Sequence, residues 1–568
     1  MKKLLGDADR AVSDLIDGLV RADDRLRRLE GAPVLVRADL ADVRGVTLIS
    51  GGGSGHEPAH AGYIGAGMLT AAVLGEVFAS PSVDAVLAAI RSVCGPAGCL
   101  LIVKNYTGDR LNFGLAAALA RGEGLAVEMV LVDDDVALAA GSRIGRRGLA
   151  GTVLIHKMAG AAAASGAALA EVKAVAEAAI ARLGTMGIGL TPCTVPGAER
   201  PNFTLGANEV EFGLGIHGEP GVSRETILPV EAVVERLIGT IVDVRALDPA
   251  ADPLVLMVNG LGGTPAMELS VVARAALLLL DARGFTVARV LVGDFLTALE
   301  MAGCSLSLLP ADAATLALLD ADTAAPAWVR PTVPGQDRTI AMPEKPATTP
   351  DLAGPQLDSA QSRQFRDAIS AVTACLIAAE ELLTAMDREV GDGDLGTSLA
   401  RGARAVEAGM DDLPFDRPAL ALERIAGFVR RAIGGSSGPL NAALLVGAAS
   451  RLRSAAGALT LADWADALHA GNAAIAEIGG ARLGDRTMLD ALLPAADALA
   501  RAAAQGATGA AALEHAAIAA RQGAERTRGI TAAVGRSSYL GDRVVGHADP
   551  GAWAVALWLE ALAAAVDA

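Results

Sequence analysis

The chain has 568 residues, with 48 basic against 65 acidic side chains and a formal net charge of −17. That length allows two to four domains with sizeable cores, and a charge so negative excludes a nucleic-acid partner, which needs a basic face. The five cysteines, Cys94, Cys99, Cys193, Cys304 and Cys375, are scattered and without zinc spacing, so a zinc site is excluded and a reducing, cytoplasmic setting is expected.

The start, Met1-Lys-Lys-Leu-Leu-Gly-Asp-Ala-Asp, turns acidic before any long apolar run, so no signal peptide is expected. Short apolar runs at 46–50, 99–104, 127–132 and 254–258 are each followed by Gly, Asn or Asp, the pattern of buried strands in an α/β sheet. Helical stretches at 82–92 and 112–121 fall between them, and 159–183 reads as one long Ala-rich helix dividing two α/β subdomains. The 18 residues between Glu57 and Glu76 carry no formal charge, yet they include Pro58, His60 and several glycines. They are therefore not a membrane span, and no membrane partner is expected.

Pro326, Pro331, Pro334, Pro343, Pro346, Pro350 and Pro355 crowd thirty residues, which predicts a semi-extended linker. Beyond it the pattern is helical throughout, with segments at 361–386, 397–410, 418–433, 439–453, 460–477, 486–503, 506–523 and 551–566. The expected organisation is multidomain. An α/β subdomain at 1–183 and a second at 184–330 precede a linker at 331–360. An all-α bundle or barrel of about eight helices completes the chain at 361–568.

Three stretches of the α/β half carry polar groups next to strand ends or glycines. Gly51-Gly-Gly-Ser-Gly-His56-Glu-Pro-Ala-His60 follows a strand directly, and a glycine turn there brings backbone N–H groups close to a small ligand. It has His56 where a dinucleotide fingerprint has glycine at its sixth position, and it lacks the Gly-Lys-Ser/Thr of a Walker loop. Lys104-Asn-Tyr-Thr-Gly-Asp109 places an ammonium and a carboxylate at the same sheet edge. Gly213-Leu-Gly-Ile-His217-Gly-Glu-Pro-Gly221 sets a histidine among glycines; neutral, it is a nucleophile able to add to a carbonyl. The plain alternatives are a structural turn, a solvated loop and a satisfied structural histidine.

In the helical half, Asp387-Arg-Glu-Val-Gly-Asp392-Gly-Asp394-Leu-Gly396 puts three carboxylates within eight residues on a glycine-rich turn. Such a cluster suits Mg²⁺, a hard ion that shares oxygen ligands with phosphates; the alternative is a solvated acidic helix end. The register excludes a calcium loop, because Gly396 and Ala403 stand where oxygen ligands are needed. Glycine and hydroxyl patches at 395–398, 434–438, 484–488 and 535–551 look like helix starts, which bind phosphate oxygens or serve as ordinary caps. Together with the carboxylates they suggest a rim of loops around one nucleotide.

These motifs, in this order, resemble the ATP-dependent dihydroxyacetone kinase family, in which a ketone-binding α/β module is joined to an ATP-binding helical module. The resemblance covers essentially the whole chain. It implies that His217 forms a hemiaminal with the substrate carbonyl, that Gly53, Ser54, Gly55, His56, Lys104 and Asp109 line the substrate site, and that His56 accepts the hydroxyl proton with Asp109 close by. It implies Asp387, Asp392 and Asp394 as ligands of the Mg²⁺ that bridges ATP. It implies nucleotide contacts at Leu395, Gly396, Thr397, Ser398, Ser437, Gly438, Gly479, Met488, Arg536, Asp549, Pro550 and Gly551. One position departs: Leu395 stands where many relatives carry His, so a backbone contact is expected there. Both modules share one chain and no phosphocarrier domain is evident, so free ATP is the expected donor. The expected partners are a short ketose or triose, ATP and a second copy in a homodimer. Alternative readings are a kinase for erythrulose or glyceraldehyde, and a ketone sensor without transfer activity.

Overall fold

The computed structural model describes residues 2–138, 145–335, 339–343 and 354–567. The chain divides into two compact units, Met1–Ala341 and Met342–Ala568. Of the expected linker, residues 336–338 and 344–353 lie outside the described residues.

The first unit holds two six-stranded sheets. The first is built from β1 (Leu26–Arg28), β2 (Val34–Arg37), β3 (Thr47–Ser54), β4 (Ala71–Val77), β5 (Cys99–Lys104) and β6 (Val127–Val132), in the order β1-β2-β4-β3-β5-β6. From β4 to β6 the pairing is parallel. Side chains of successive residues leave a strand on opposite faces, so one face carries Leu48, Leu100 and Ile102 and the other Ile49, Leu101 and Val103. Helices Val83–Val93 and Thr107–Gly122 cover the latter through Val86, Ile90, Phe113 and Ala116. Helices Thr152–Ala164 and Leu169–Arg182 bury Leu154, Met158 and Ala176 with the former.

The second sheet contains β7 (Gly184–Gly189), β8 (Glu209–Phe212), β9 (Ser223–Thr226), β10 (Leu254–Gly260), β11 (Val287–Gly293) and β12 (Gly303–Pro310), in the order β11-β10-β12-β7-β8-β9. Its pairing is antiparallel except between β10 and β11. Helices Val230–Arg245 and Ala266–Ala282 pack on it through Leu237, Ile241, Ala276 and Leu280.

Two expectations are corrected here. The stretch 159–183 is not one helix: Gly166, at φ +89°, stops the first at Ala164, and the second starts at Leu169, where Glu171 Oε2 accepts from Ala168 N–H at 2.8 Å. The glycine run after the first apolar stretch is strand rather than turn, since Gly51, Gly52 and Gly53 pair with Val73, Leu74 and Gly75 of β4.

The second unit is all-helical, with nine α-helices among the described residues. The expected 361–386 segment divides into Ser359–Ala378 and Glu380–Val390, bent by 57° at Ala379. Asp358 and Gln361 close a capping box at the first helix, and Thr460 and Asp463 do so at Leu461–Gly479. The helices surround an apolar cavity of about 700 Å³ lined by Phe365, Leu422, Trp464, Leu499 and Trp558 among others. Among the described residues, no single helix is long and apolar enough to cross a membrane.

Close packing in the first unit gives a paired stability test. A methyl on Gly160 would meet Met68 Cα at 2.4 Å and Gly67 O at 2.5 Å, both backbone, whereas one on Gly114 would meet nothing within 4 Å. Both glycines are helical, so both gain helix propensity as alanine. Overpacking outweighs that gain at the first site only: Gly160→Ala is expected to lower stability by about 1–3 kcal/mol, and Gly114→Ala to raise it by about 0.5–1 kcal/mol. Urea midpoints moving in the same direction for both would contradict this.

Candidate functional site

The ends of β3 and β5 and two loops bring the polar groups of the first unit together. His56 follows the last residues of β3 and is fully buried. Its ring stacks on Phe78 at 5.1 Å and meets that of His217 edge-on, 4.9 Å between centroids. Tyr106 and Phe78 also flank His217, at 4.7 and 5.2 Å.

The two imidazoles have assigned protons. His56 Nδ1 lies 2.7 Å from the carbonyl oxygen of Thr297; a carbonyl only accepts, so Nδ1 carries the proton and Nε2 a lone pair. That Nε2 has no hydrogen-bond partner among the described residues. Burial, aided by His217 and Lys104, holds His56 well below the usual histidine range, so the ring is neutral at ordinary pH. His217 Nδ1 is 2.7 Å from Glu219 Oε1, and its backbone N–H donates to Oε2 at 3.0 Å. Burial works to raise the Glu219 carboxyl, but its hydrogen bonds with His217 outweigh it and the group stays below the usual range. In the neutral ring the proton thus sits on Nδ1, facing a carboxylate, and Nε2 carries the lone pair.

Lys104 ends β5, fully buried. A methyl on Gly52, which has φ +153°, would lie 2.7 Å from Lys104 Nζ and 3.5 Å from Asp109 Oδ2, so only glycine leaves these two groups their shared space. Asp109 sits in the first turn of helix Thr107–Gly122, not in a loop, and its Oδ1 accepts from Ser80 Oγ. The Ser54 hydroxyl is bound to Gly75 O at 2.7 Å, and Gly53 backs onto Phe78 and Ala79, so these two line the strand end structurally. Gly55 N–H donates to both Glu57 oxygens at 3.1 Å. Phe78, Ser80, Tyr106, Thr297 and Glu219 were not singled out by the sequence. Glu219 had a signal, standing two residues after His217 within the glycine loop; Thr297, 241 residues from His56, had none.

The second unit gathers its polar loops around a cavity of about 210 Å³. Asp387 lies in the last turn of Glu380–Val390, and Asp394 stands at the start of Leu395–Ala408. Asp387 Oδ2 accepts from the backbone N–H groups of Asp394 and Leu395 at 3.0 and 3.2 Å, which folds the turn onto itself. One oxygen from each of Asp387, Asp392 and Asp394 lies within 4.8 Å of the others. An O–Mg–O span is about 3–4 Å, so small side-chain rotations fit the three oxygens to one such ion. The Arg536 guanidinium pairs with Asp392, a cation of the chain set against the cluster.

Leu395, Ser437, Met488, Arg536, Asp549, Pro550 and Gly551 line this cavity, together with Gly434–Ser436, Arg486 and Thr487. Gly396, Thr397, Ser398, Gly438 and Gly479 are not on its wall; a methyl on Gly396 or Gly438 would strike the carbonyl oxygens of Glu380 or Ile433. Burial, opposed by the Ala552 N–H and Arg486, pushes the Asp549 carboxyl up to about 6. The larger cavity has no charged residue in its lining, whereas Asp387, Asp392, Asp394, Arg486, Arg536 and Asp549 all line the smaller one.

The buried histidines have a measurable consequence. Burial, reinforced by Lys104, lowers His156 to about 3. Between that value and about 6.5 the unfolded chain binds a proton that the folded one does not, so this contribution to stability is full above pH 6.5 and falls as pH drops. His156→Asn is expected to make the acid slope shallower by about 1.4 kcal/mol per pH unit between pH 6 and 4.5. Parallel stability–pH curves for the two proteins would show that His156 titrates normally.

The Dak1 domain family matches residues 17–327 and the DAK2 domain family residues 389–564. The chain is 43% identical to triokinase/FMN cyclase of Rattus norvegicus, covering 99% of this chain and 98% of that one. It is 45% identical to a putative 3,4-dihydroxy-2-butanone kinase of Solanum lycopersicum, covering 100% and 98%. Among solved structures, the dihydroxyacetone kinase of Citrobacter freundii in complex with AMP-PNP and Mg²⁺ is similar with a TM-score of 0.66 and 37% identity, over 99% of each chain. With both domain families matched in one polypeptide, the chain belongs to the dihydroxyacetone kinase family and is a kinase.

Proposed function

We propose that this chain transfers the γ-phosphoryl group of ATP to a hydroxyl of dihydroxyacetone, with the ketone held as a hemiaminal on His217. The observation that carries this reading is the meeting of two imidazoles with bare Nε2 atoms, one backed by a carboxylate and one by a neutral carbonyl. His217 Nε2 adds to the carbonyl carbon; the C=O π pair moves to oxygen, the Nδ1 proton passes to Glu219, and the oxyanion so formed is held by the Lys104 ammonium. A plain polyol offers no carbonyl and gains nothing from this step. Lys104 donates to a substrate oxygen from over Gly52. His56 takes the hydroxyl proton at Nε2 as the phosphoryl group moves. Asp109 is already engaged by Ser80 and lies beside Lys104, so its part is to orient the hydroxyl.

In the helical unit, Asp387, Asp392 and Asp394 hold Mg²⁺, which neutralises phosphate charge when bound. Arg536, released from Asp392, is free to turn to the phosphates. Met488 and the Asp549-Pro550-Gly551 turn line the nucleotide's cavity. Positioning does most of the work in phosphoryl transfer. The protein acts as a homodimer in the cytosol. Five free thiols support a reducing compartment, and light scattering in solution tests the dimer.

Asp392→Ala is expected to abolish turnover and weaken MgATP binding while ketone still binds; near-wild-type turnover would refute the metal assignment. For the nucleophile, intact-protein mass spectrometry after reductive trapping should show an adduct of ketone mass that His217→Ala removes. That variant should also lose its discrimination against glycerol. Glu219→Gln keeps an acceptor for Nδ1 without the charge, and is expected to lower kcat/KM by about 10–100-fold with nucleotide KM unchanged. Asp109→Asn should leave the adduct intact and slow transfer. Wild-type ketone selectivity in His217→Ala would sink covalent capture.

A further inference from the structure

Behind the Lys104 ammonium lies a buried polar chain, His60, Ser50 and His156, with no part in the chemistry described so far. The Lys104 ammonium donates to His60 Nε2 at 2.8 Å. His60 Nδ1 is 3.3 Å from Ser50 Oγ, and His156 Nε2 reaches the same hydroxyl at 3.0 Å. Ser50 Oγ in turn lies 2.7 Å from the carbonyl oxygen of Ile102. All four side chains are buried, and they come from β5, the turn after β3, β3 itself and helix Thr152–Ala164.

The proton positions follow without freedom. A hydroxyl has one proton and two lone pairs. The Ser50 proton goes to Ile102 O, so its oxygen accepts from His60 Nδ1–H and His156 Nε2–H. His60 is thereby left with a lone pair at Nε2, which is what an ammonium requires. An acceptor that is neutral adds no second negative charge to that of Asp109 beside the Lys104 ammonium. The groups facing Lys104 are Asp109 from helix Thr107–Gly122, His56 and His60 from the turn after β3, and His156 from helix Thr152–Ala164.

We propose that His60 is a positioning residue for Lys104: backed by Ser50 and His156, its Nε2 lone pair fixes the ammonium over Gly52, where it meets a substrate oxygen. This rests on the ketone-kinase reading above.

The test uses the full-length protein with MgATP and dihydroxyacetone. His60→Leu removes the acceptor, while His60→Asn offers an amide oxygen in its place. Losing a hydrogen bond to the charged form lets Lys104 deprotonate earlier. His60→Leu should therefore move the alkaline limb of kcat/KM down by about one pH unit. It should also lower kcat/KM at neutral pH by about 10–100-fold and leave the KM for ATP unchanged. His60→Asn should recover most of both effects. Equal losses in the two variants with the alkaline limb in place, in proteins with wild-type thermal unfolding, would overturn the proposal and leave His60 a packing residue. If His60→Leu does not fold, Ser50→Ala, which frees the His60 tautomer, should shift the limb in the same direction by a smaller amount; an unmoved limb there also overturns it. A wild-type protein without ketone kinase activity would refute the reading beneath, whereas an active one with unmoved limbs refutes only the role of His60.

Discussion

One buried ammonium organises the first unit. A cation taken out of water needs hydrogen-bond acceptors or it loses its proton, and Lys104 has an imidazole on one side and Asp109 across Gly52 on the other. Its charge, added to burial, keeps His56, His60 and His156 below the usual histidine range. Neutral imidazoles have lone pairs, and lone pairs make bases and acceptors. Burial, with this one positive charge beside it, thus sets the protonation of these rings, and the backbone carbonyl of Thr297 and the Ser50 hydroxyl choose which nitrogen stays bare.

The helical unit has the opposite excess. Asp387, Asp392 and Asp394 crowd one turn, and buried Asp549 is pushed up to about 6, with Asp490 and Asp387 adding to the effect of burial. The cations at hand are Arg536, paired with Asp392, and Arg486. Arg486 is fully buried at φ +63°, donates to His547 O at 3.1 Å, and leaves Nε and Nη1 without hydrogen-bond partners among the described residues. Backbone strain and unmet donors of this kind collect where a protein binds charge. A divalent ion would ease the repulsion among the carboxylates, and anionic phosphates would suit the two arginines on the same cavity.

Much of this was legible from the sequence, because tight spacing is a local property. The runs at 99–104 and 127–132 match β5 and β6 to the residue, and Asp387, Asp392 and Asp394 converge as their glycine spacing suggested. Strands poor in large apolar residues were missed: β4 and β7, Ala71–Val77 and Gly184–Gly189, are rich in alanine or glycine and carry no strand signal of their own. They are strands because their neighbours pair with them. The 159–183 stretch misled for a related reason. Alanine favours helix at nearly every position there, and Gly166 breaks it by backbone geometry rather than by polarity.

What a motif cannot encode is its far partner. His56 owes its tautomer to Thr297, and His60 its environment to His156, each contact joining residues distant in sequence. By local sequence alone His60 is a residue of a turn and His156 one of an apolar helix. Both descriptions remain true of their positions. Their chemistry arises only when the helix brings His156 beside Ser50 and β5 brings Lys104 to His60. Toward the ammonium His60 must then accept, and toward the Ser50 hydroxyl both rings must donate; those requirements, set by the fold as a whole, give each ring its role.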